Sequence, residues 1–373
     1  MTKHWLPPLL GAVAVCVGLC CGQNLGWTQT TLDAEAKASL DKAVNVIPGL
    51  TPDLIAGAQK EGTLTLYRTG YDFRGVVFPE FQKLFPYIKI VDFEATVGPL
   101  LQRYGAEARS GRNIADVVVN SIPGTVDAMD NEGLVAHYTP TSAAAYTSGQ
   151  RDGAYYPFDR VLLCNAYNTN LVTEEQAAVL GTWPGIVDPR WRGKAGVLRL
   201  STGGVSALTY YFVDEQKFTD FQTLLGKQEP LVMTSVPALI ERLSAGGIEA
   251  AFFANDGNLH RLKRAGAPIR WKCPNPGLAL NDFQFIAAKA PHPNAAKLWV
   301  EFILSTTGQR LVVDGLGLGP ARDDVRDTRP VTTEPWYQAP TELYKYSWSV
   351  IDRRLDALRV KWDAAAANSR SGD

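Results

Sequence analysis

The sequence predicts an α/β fold of two lobes, with mixed sheets carrying helices on both faces and a cleft between the lobes. Three observations lead there. Strand-like and helix-like stretches alternate along most of the chain, the pattern of a sheet covered by helices. One strand, Val161–Ala166 (VLLCNA), is longer in hydrophobics and is not followed by the same unit, which marks a change of lobe. A return segment after residue 277 then brings the chain back. The length of 373 residues agrees, because domains run to roughly 100–200 residues and two of them can each bury a core without disulfide staples.

The elements follow in order. Thr51-Pro52-Asp53 opens a short helix, with Thr51 as N-cap and Pro52 at the first helical position. Thr63–Arg68 (TLTLYR) is a strand, Phe73–Phe85 a helix, Ile88–Phe93 a strand and Gly98–Arg109 a helix. Ala115–Asn120 (ADVVVN) is an apolar strand and Gly124–Glu132 a helix. Beyond Val161–Ala166 come a helix at Thr173–Leu180, a strand at Gly196–Leu200 and a helix from Gly204. A helix at Val236–Ala245 precedes a strand at Ala250–Ala254. Asp282–Ala288 (DFQFIAA) is a buried strand and Pro293–Leu304 a helix. The tail from Thr341 to Ala366 is helix-rich, with Trp348, Ile351, Leu355 and Leu358 at three- and four-residue spacing.

These elements divide into a first lobe of residues 51–157 plus 277–304 and a second of 158–276 plus 305–373, the latter with the C-terminal helices. Crossovers fall near Pro157–Leu163 and Gly277–Phe283. A pocket at such an interface is a usual place for a small ligand.

The first 22 residues have the form of a secretory leader. Lys3 is their only fixed charge, Leu6–Leu19 is apolar but short for a membrane span, and Cys20-Cys21-Gly22 supplies small residues before a cut after Gly22. Lipidation at Cys20 is disfavoured by Leu19 before it, and an uncleaved anchor is the other alternative. Residues 23–50 are expected as a polar leader. Of 37 basic residues, removal of Lys3 leaves 36 against 38 acidic ones. So near-neutral a chain, without a Lys/Arg run, has no electrostatic footprint for nucleic acid or anionic membrane. Only Cys164 and Cys273 remain after cleavage, able to pair but too few for a metal cluster.

Thr182-Trp183 followed by Ile186-Val187-Asp188-Pro189-Arg190-Trp191-Arg192-Gly193-Lys194-Ala195 resembles a segment of bacterial extracellular solute-binding proteins of the ferric-binding-like branch. Glu61-Gly62-Thr63-Leu64, Ala115-Asp116-Val117 and Asn294–Ser305 (NAAKLWVEFILS) are similar to that family at the expected distances. The resemblance covers about residues 51–322. It implies a type II periplasmic-binding fold that hands a captured solute to the permease of an ABC importer in the inner membrane, from a periplasmic location. The Asp188–Lys194 stretch is expected to be a turn with a packed tryptophan, away from ligand.

In iron-carrying members two adjacent tyrosines follow the strand equivalent to Ala250–Ala254, phenolates being hard donors for a ferric ion. Here Asn255-Asp256-Gly257-Asn258 stand instead. Tyr155-Tyr156 and Tyr210-Tyr211 are adjacent pairs elsewhere, each as well explained by packing. His137, His260 and His292 have no paired spacing and are expected at the surface. Neither metal nor cofactor is therefore expected.

In open α/β sheets ligands sit beyond the carboxyl ends of strands. This selects Arg68, Thr69 and Tyr71 after the first strand, Asn120 and Ser121 after the third, and Ser201-Thr202-Gly203 before the helix at Gly204. Helix N-termini present free N–H groups to anions. Arg160, where the family recurrently has an arginine, and Arg68 are candidates to fork onto a carboxylate or phosphonate. Salt bridges from Arg68 and Arg160 to Asp72 and Asp159 or to nearby acids are the competing reading. Asn255 and Asp256 are candidates to line the pocket, Asp256 facing a ligand amine. Tyr71 and Trp271 are candidates to stack on a flat ligand or to pack in the core. In this family's fold the crossing strands run side by side, which implies a Cys164–Cys273 disulfide, with two buried free thiols as the alternative.

Capture of a small anionic or zwitterionic solute, without conversion, by a monomeric two-lobed protein is the expected function. Ferric or metal-chelate binding on the same fold is the first alternative and an enzyme the second. No G-x-S-x-G, H-E-x-x-H or phosphate-cradling glycine motif is present.

Overall fold

A computed structural model describes residues 32–146, 153–200, 204–216, 219–367 and 370–371. The leader to residue 31 and Ser201-Thr202-Gly203 lie outside the described residues. In chain order, α1 (Ala34–Ala43) and α2 (Pro52–Glu61) precede β1 (Thr63–Arg68), α3 (Val77–Leu84) and β2 (Lys89–Glu94). Then come α4 (Val97–Arg109), β3 (Val117–Asn120), α5 (Pro123–Asn131), β4 (Val135–Ala136) and β5 (Tyr156–Pro157). The second half holds β6 (Val161–Asn168), α6 (Glu174–Ala177), β7 (Ala195–Leu198), α7 (Gly204–Glu215), β8 (Leu231–Met233), α8 (Val236–Ser244), β9 (Ala250–Asn255) and α9 (Asp256–Arg264). It closes with β10 (Ile269–Lys272), β11 (Leu278–Leu280), β12 (Phe283–Ala287), α10 (Pro293–Leu304), α11 (Thr306–Arg310), α12 (Trp348–Ala366) and β13 (Arg370–Ser371).

Two mixed sheets result, as expected. The first runs β2-β1-β3-β12-β4, with β5 also on β12; β1, β2 and β3 are parallel and β12 antiparallel to β3. The second runs β10-β6-β9-β7-β8-β13, with β11 also on β6. The chain passes from the first sheet to the second between β5 and β6, and returns between β11 and β12. The two passes lie side by side: Leu280 pairs with Val161 on one side and Phe283 with Pro157 on the other. Between them the Phe158 N–H donates to the Asp282 carbonyl at 3.1 Å. A third pass follows α11, where the Arg160 N–H donates to the Gly319 carbonyl at 2.8 Å. Gly319 is required there, since a Cβ would stand 2.5 Å from the Arg160 carbonyl oxygen. Gln309 ties this pass down, its amide donating to the Phe158 carbonyl at 2.7 Å.

Local chemistry sets the element ends. Thr51 caps α2 by accepting from the Leu54 N–H, and Gly62 ends it at φ +63°. Under the first sheet Trp299 of α10 packs edge-on against Phe73, Phe78 and Phe81. The N-terminus of α10 is capped from afar: Glu61 accepts from the backbone N–H groups of Asn294 and Ala295.

Several boundaries differ from expectation, with identifiable causes. Within the expected leader, Asp33 caps α1, and Ala36, Ala43, Ile47 and Leu50 are buried in the core. The small alanines make this amphipathic face faint in sequence. The helix expected from Phe73 begins at Val77, because Asp72 first closes a turn onto the Gly75 N–H. The helix expected over Thr173–Leu180 is α-helical only to Ala177 and tightens to a 3₁₀ turn. Residues 341–347 are extended and pair with Gly277, so helix begins only at Trp348. The short β8, β10 and β11, and α9 after β9, carried no separate expectation.

The Asp188–Lys194 stretch is a turn with Trp191 buried, its indole N–H donating to the Gly185 carbonyl at 3.1 Å. Trp271 is core, packed edge-on against Trp336 rather than lining a cavity. Tyr210 is buried in α7, donating to the Leu198 carbonyl, with its ring against Trp362. Cys164 on β6 and Cys273 just after β10 form a disulfide across 109 residues of sequence. No helix among the described residues is long and apolar enough to cross a membrane.

Candidate functional site

The carboxyl ends of β1 and β3 in the first lobe face those of β7 and β9 in the second. The lobes touch along this seam. Gly204, the first residue of α7, approaches the Ser121 carbonyl so closely that a Cβ would stand 2.8 Å from it. The Tyr71 hydroxyl reaches the Asn255 amide and the Asp282 carboxyl. Cavities open on both sides of the seam.

The larger, about 580 Å³, has the two crossovers as its floor. Arg160 comes from the first and Asn281 from the second, with Tyr155 from the first lobe and Tyr344, Lys345 and Trp348 from the C-terminal segment. That volume suits a small solute. The Asn281 amide nitrogen is buried and donates to nothing among the described residues. The Arg160 guanidinium stands 3.8 Å from Asp323, not on Asp159. The Tyr346 hydroxyl donates to the Ala279 carbonyl at 2.9 Å, pinning the C-terminal wall to β11. Cation, carboxylate, amide donor and aromatic faces thus meet in one chamber.

On the opposite side of the crossovers the strand alternation turns Asp159 and Asp282 inward. Both are buried, and the Asp282 N–H donates to an Asp159 carboxyl oxygen at 2.8 Å. Burial pushes the Asp282 carboxyl up to about 6, against the hydrogen bonds from Tyr71 and Asp159. Burial and the charge of Asp282 push Asp159 well above the carboxylate range. Two carboxyls this close share a proton rather than ionise together. Burial, with the charges of Asp282 and Asp159 adding, raises the Tyr71 phenol well above its ordinary value, so it stays a donor.

The remaining candidates are placed as follows. Arg68 is only 1% exposed and faces its own lobe. Its donors meet Asp92 at 2.7 Å, Glu94 at 2.8 Å and the Tyr71 carbonyl at 2.6 Å. It holds the loop after β1, and in place of the fork onto ligand the competing ion pair is formed, with Asp92 and Glu94 as the nearby acids and not Asp72. Thr69 lies in that loop and accepts from the Tyr71 N–H. Asn120 is buried, accepting from the Ile122 N–H, and its amide nitrogen lacks a partner among the described residues. Asn255 caps α9 through the Asn258 N–H at 3.1 Å. Asp256 does not face a ligand amine. It accepts from the Leu162 N–H at 2.8 Å and pairs with buried Arg329 at 2.7 Å. Burial works against the Arg329 charge, but Asp256 and Asp327 outweigh it and push the guanidinium up. His260 is buried, contrary to the surface position expected for it.

Asn281, the aromatic C-terminal wall and Arg329 were not singled out from sequence. Asn281 adjoins a crossover that was legible, so its position was a usable signal. Arg329 meets Asp256 across 73 residues and carries no local one. No group of His, Cys, Asp and Glu among the described residues is arranged to hold a metal ion.

A family model described as bacterial extracellular solute-binding protein matches residues 79–342. Curated proteins yield no match. Among solved structures, a substrate-binding protein of an ABC transporter from Agrobacterium tumefaciens is 17% identical, with TM-score 0.67 over 82% of this chain and 94% of that one. Iron-bound HitA from Pseudomonas aeruginosa is 18% identical, with TM-score 0.66 over 80% and 98%. AfuA from Actinobacillus pleuropneumoniae, solved with fructose-6-phosphate bound, is 17% identical, with TM-score 0.64 over 82% and 99%. At these identities the structures speak to the fold alone, and the fold is the same two-lobed one. The family match spans more than half of the sequence, and the chain belongs to the bacterial extracellular solute-binding proteins, the solute-capturing components of ABC transporters.

Proposed function

We propose that this solute-binding protein captures a small anionic or zwitterionic solute in the chamber floored by Arg160 and Asn281, and releases it unchanged to a membrane permease. The supporting observation is the position of that chamber on both crossovers. A ligand held there touches the segments that must bend when the lobes part, so binding energy is coupled to closure. A ligand shifts such an equilibrium only by its differential affinity for the two forms. Arg160 suits the anionic head, and Glu342, which also lines the chamber, suits an amine on the same solute. The iron alternative has less support, because Asp256 at the tyrosine position is already neutralised by Arg329. We further propose action as a monomer outside the cytoplasm, after cleavage following Gly22.

Calorimetry of the mature protein against a panel of carboxylates, amino acids and sugar phosphates tests the reading. Arg160→Ala is expected to weaken the solute that binds by about tenfold or more, the worth of a charge-assisted hydrogen bond. Unchanged affinity in that variant overturns the assignment.

A further inference from the structure

The cavity on the other side of the seam, about 400 Å³, is built differently. The loop after β1 supplies Tyr71 and Asp72, α9 supplies Asn258, His260, Arg261 and Arg264, and the third pass supplies Gly315 and Leu316. His260 is the anomaly. It is 2% exposed, yet neither ring nitrogen has a hydrogen-bond partner among the described residues. An unsatisfied buried polar group is costly, so a native structure keeps one where something else completes it. The ring edge is pressed against Gly317, whose φ of +75° and lack of a side chain leave it room: a Cβ there would stand 2.6 Å from the imidazole.

The cavity is also rich in uncommitted cation. Arg261 is exposed and forms no ion pair or side-chain hydrogen bond among the described residues. Arg264 spends one donor on the Asp314 carbonyl at 3.3 Å. Both sit on one face of α9, one turn apart, with His260 beside them. Asp72 is the opposing carboxylate, and one of its oxygens is occupied by the Gly75 N–H. Asp256 and Asp327 are taken up by Arg329, and the Asp314 carboxylate accepts from the Thr328 hydroxyl at 2.7 Å.

We propose that this cavity is a second ligand site, which binds the oxyanion group of a small solute between Arg261 and Arg264 with the His260 imidazole donating to it. Burial and the nearby positive charges of Arg329 and Arg264 hold His260 down to about 4, so the ring is neutral and offers one N–H and one acceptor. The guanidiniums supply charge at the mouth and the ring supplies direction inside. Such a pairing fits a phosphate or a carboxylate, and the inference stands whether or not the Arg160 chamber holds the transported solute.

The test uses the mature full-length chain, with inorganic phosphate and malonate as separate probes. Binding of either, weakened about tenfold or more in Arg261→Ala/Arg264→Ala, is the expected result. Both arginines are exposed, so the double variant is expected to keep the wild-type circular dichroism. The His260 ring resonances of the wild-type protein should shift on titration at fixed pH, a readout that needs no variant. Arg160→Ala should leave this step untouched, which separates its failure from failure of the proposed function. No binding of either anion, equal affinity in the double arginine variant, or unmoved His260 resonances overturns the proposal. Affinity for phosphate above malonate identifies a phosphorylated ligand, and the reverse a carboxylated one.

Discussion

Replacing Arg329 by methionine tests how the second lobe neutralises the acid at the head of α9. The guanidinium is 2% exposed and meets the Asp256 carboxylate at 2.7 Å. Asp256 is buried, and among the described residues its other donor is the Leu162 N–H at 2.8 Å. Removing one partner of a buried pair leaves an uncompensated charge and costs about 3–5 kcal/mol. Removing both charges, with Arg329→Met and Asp256→Asn together, keeps an acceptor for the Leu162 N–H, and the cost should fall to about 1 kcal/mol. Adding Asp256→Asn to Arg329→Met should therefore recover about 2–4 kcal/mol, and the coupling exceeds this by whatever Asp256→Asn costs alone. Urea unfolding of the four proteins at neutral pH measures it, with constant slopes required for comparison. If Arg329→Met loses less than about 1 kcal/mol, or if adding Asp256→Asn restores nothing, the pair is not the reason Asp256 tolerates burial.

Other outcomes follow from the same geometry. Asp282 titrates near 6 in the folded protein, raised from an ordinary value of 3.8, so the folded state holds its proton more tightly. Stability from this group is full below the ordinary value and is lost as pH rises to about 6. Asp282→Asn should flatten the fall of thermal midpoint across that window, and an unchanged slope would refute the shared proton. The disulfide closes a loop of 109 residues, so Cys164→Ala/Cys273→Ala should lose about 4–5 kcal/mol in denaturant while keeping its solute affinity. Gly204→Val places side-chain atoms where the Ser121 carbonyl now sits, so scattering should report a more open form and calorimetry a weaker solute. Glu61→Ala strips the distal cap from α10 and should cost about 1–3 kcal/mol by calorimetric unfolding.

Much of the architecture was legible because its signals are local. Pro52 and Thr51, the apolar run VVVN and the helix at Pro293–Leu304 each announce themselves within a few residues. The crossovers were legible too, since a strand unlike its predecessors marks where the chain changes sheet. The site was less so. Arg68 stood at the right strand end, but the acids that claim it lie on β2, more than twenty residues away, where no spacing rule reaches. Asp256 was placed at the cleft by position and misread by partner for the same reason. His260 gave no sign of burial, because α9 itself was not expected and a helix face cannot be read where no helix is seen.

The wall made by Tyr344, Lys345 and Trp348 comes after both crossovers in sequence and belongs to neither of them. A chain cut before Tyr344 would keep both crossovers yet lack one side of its binding chamber. Capture of cargo therefore depends on a segment outside both crossovers, and a chain cut before Tyr344 is expected to lose its solute.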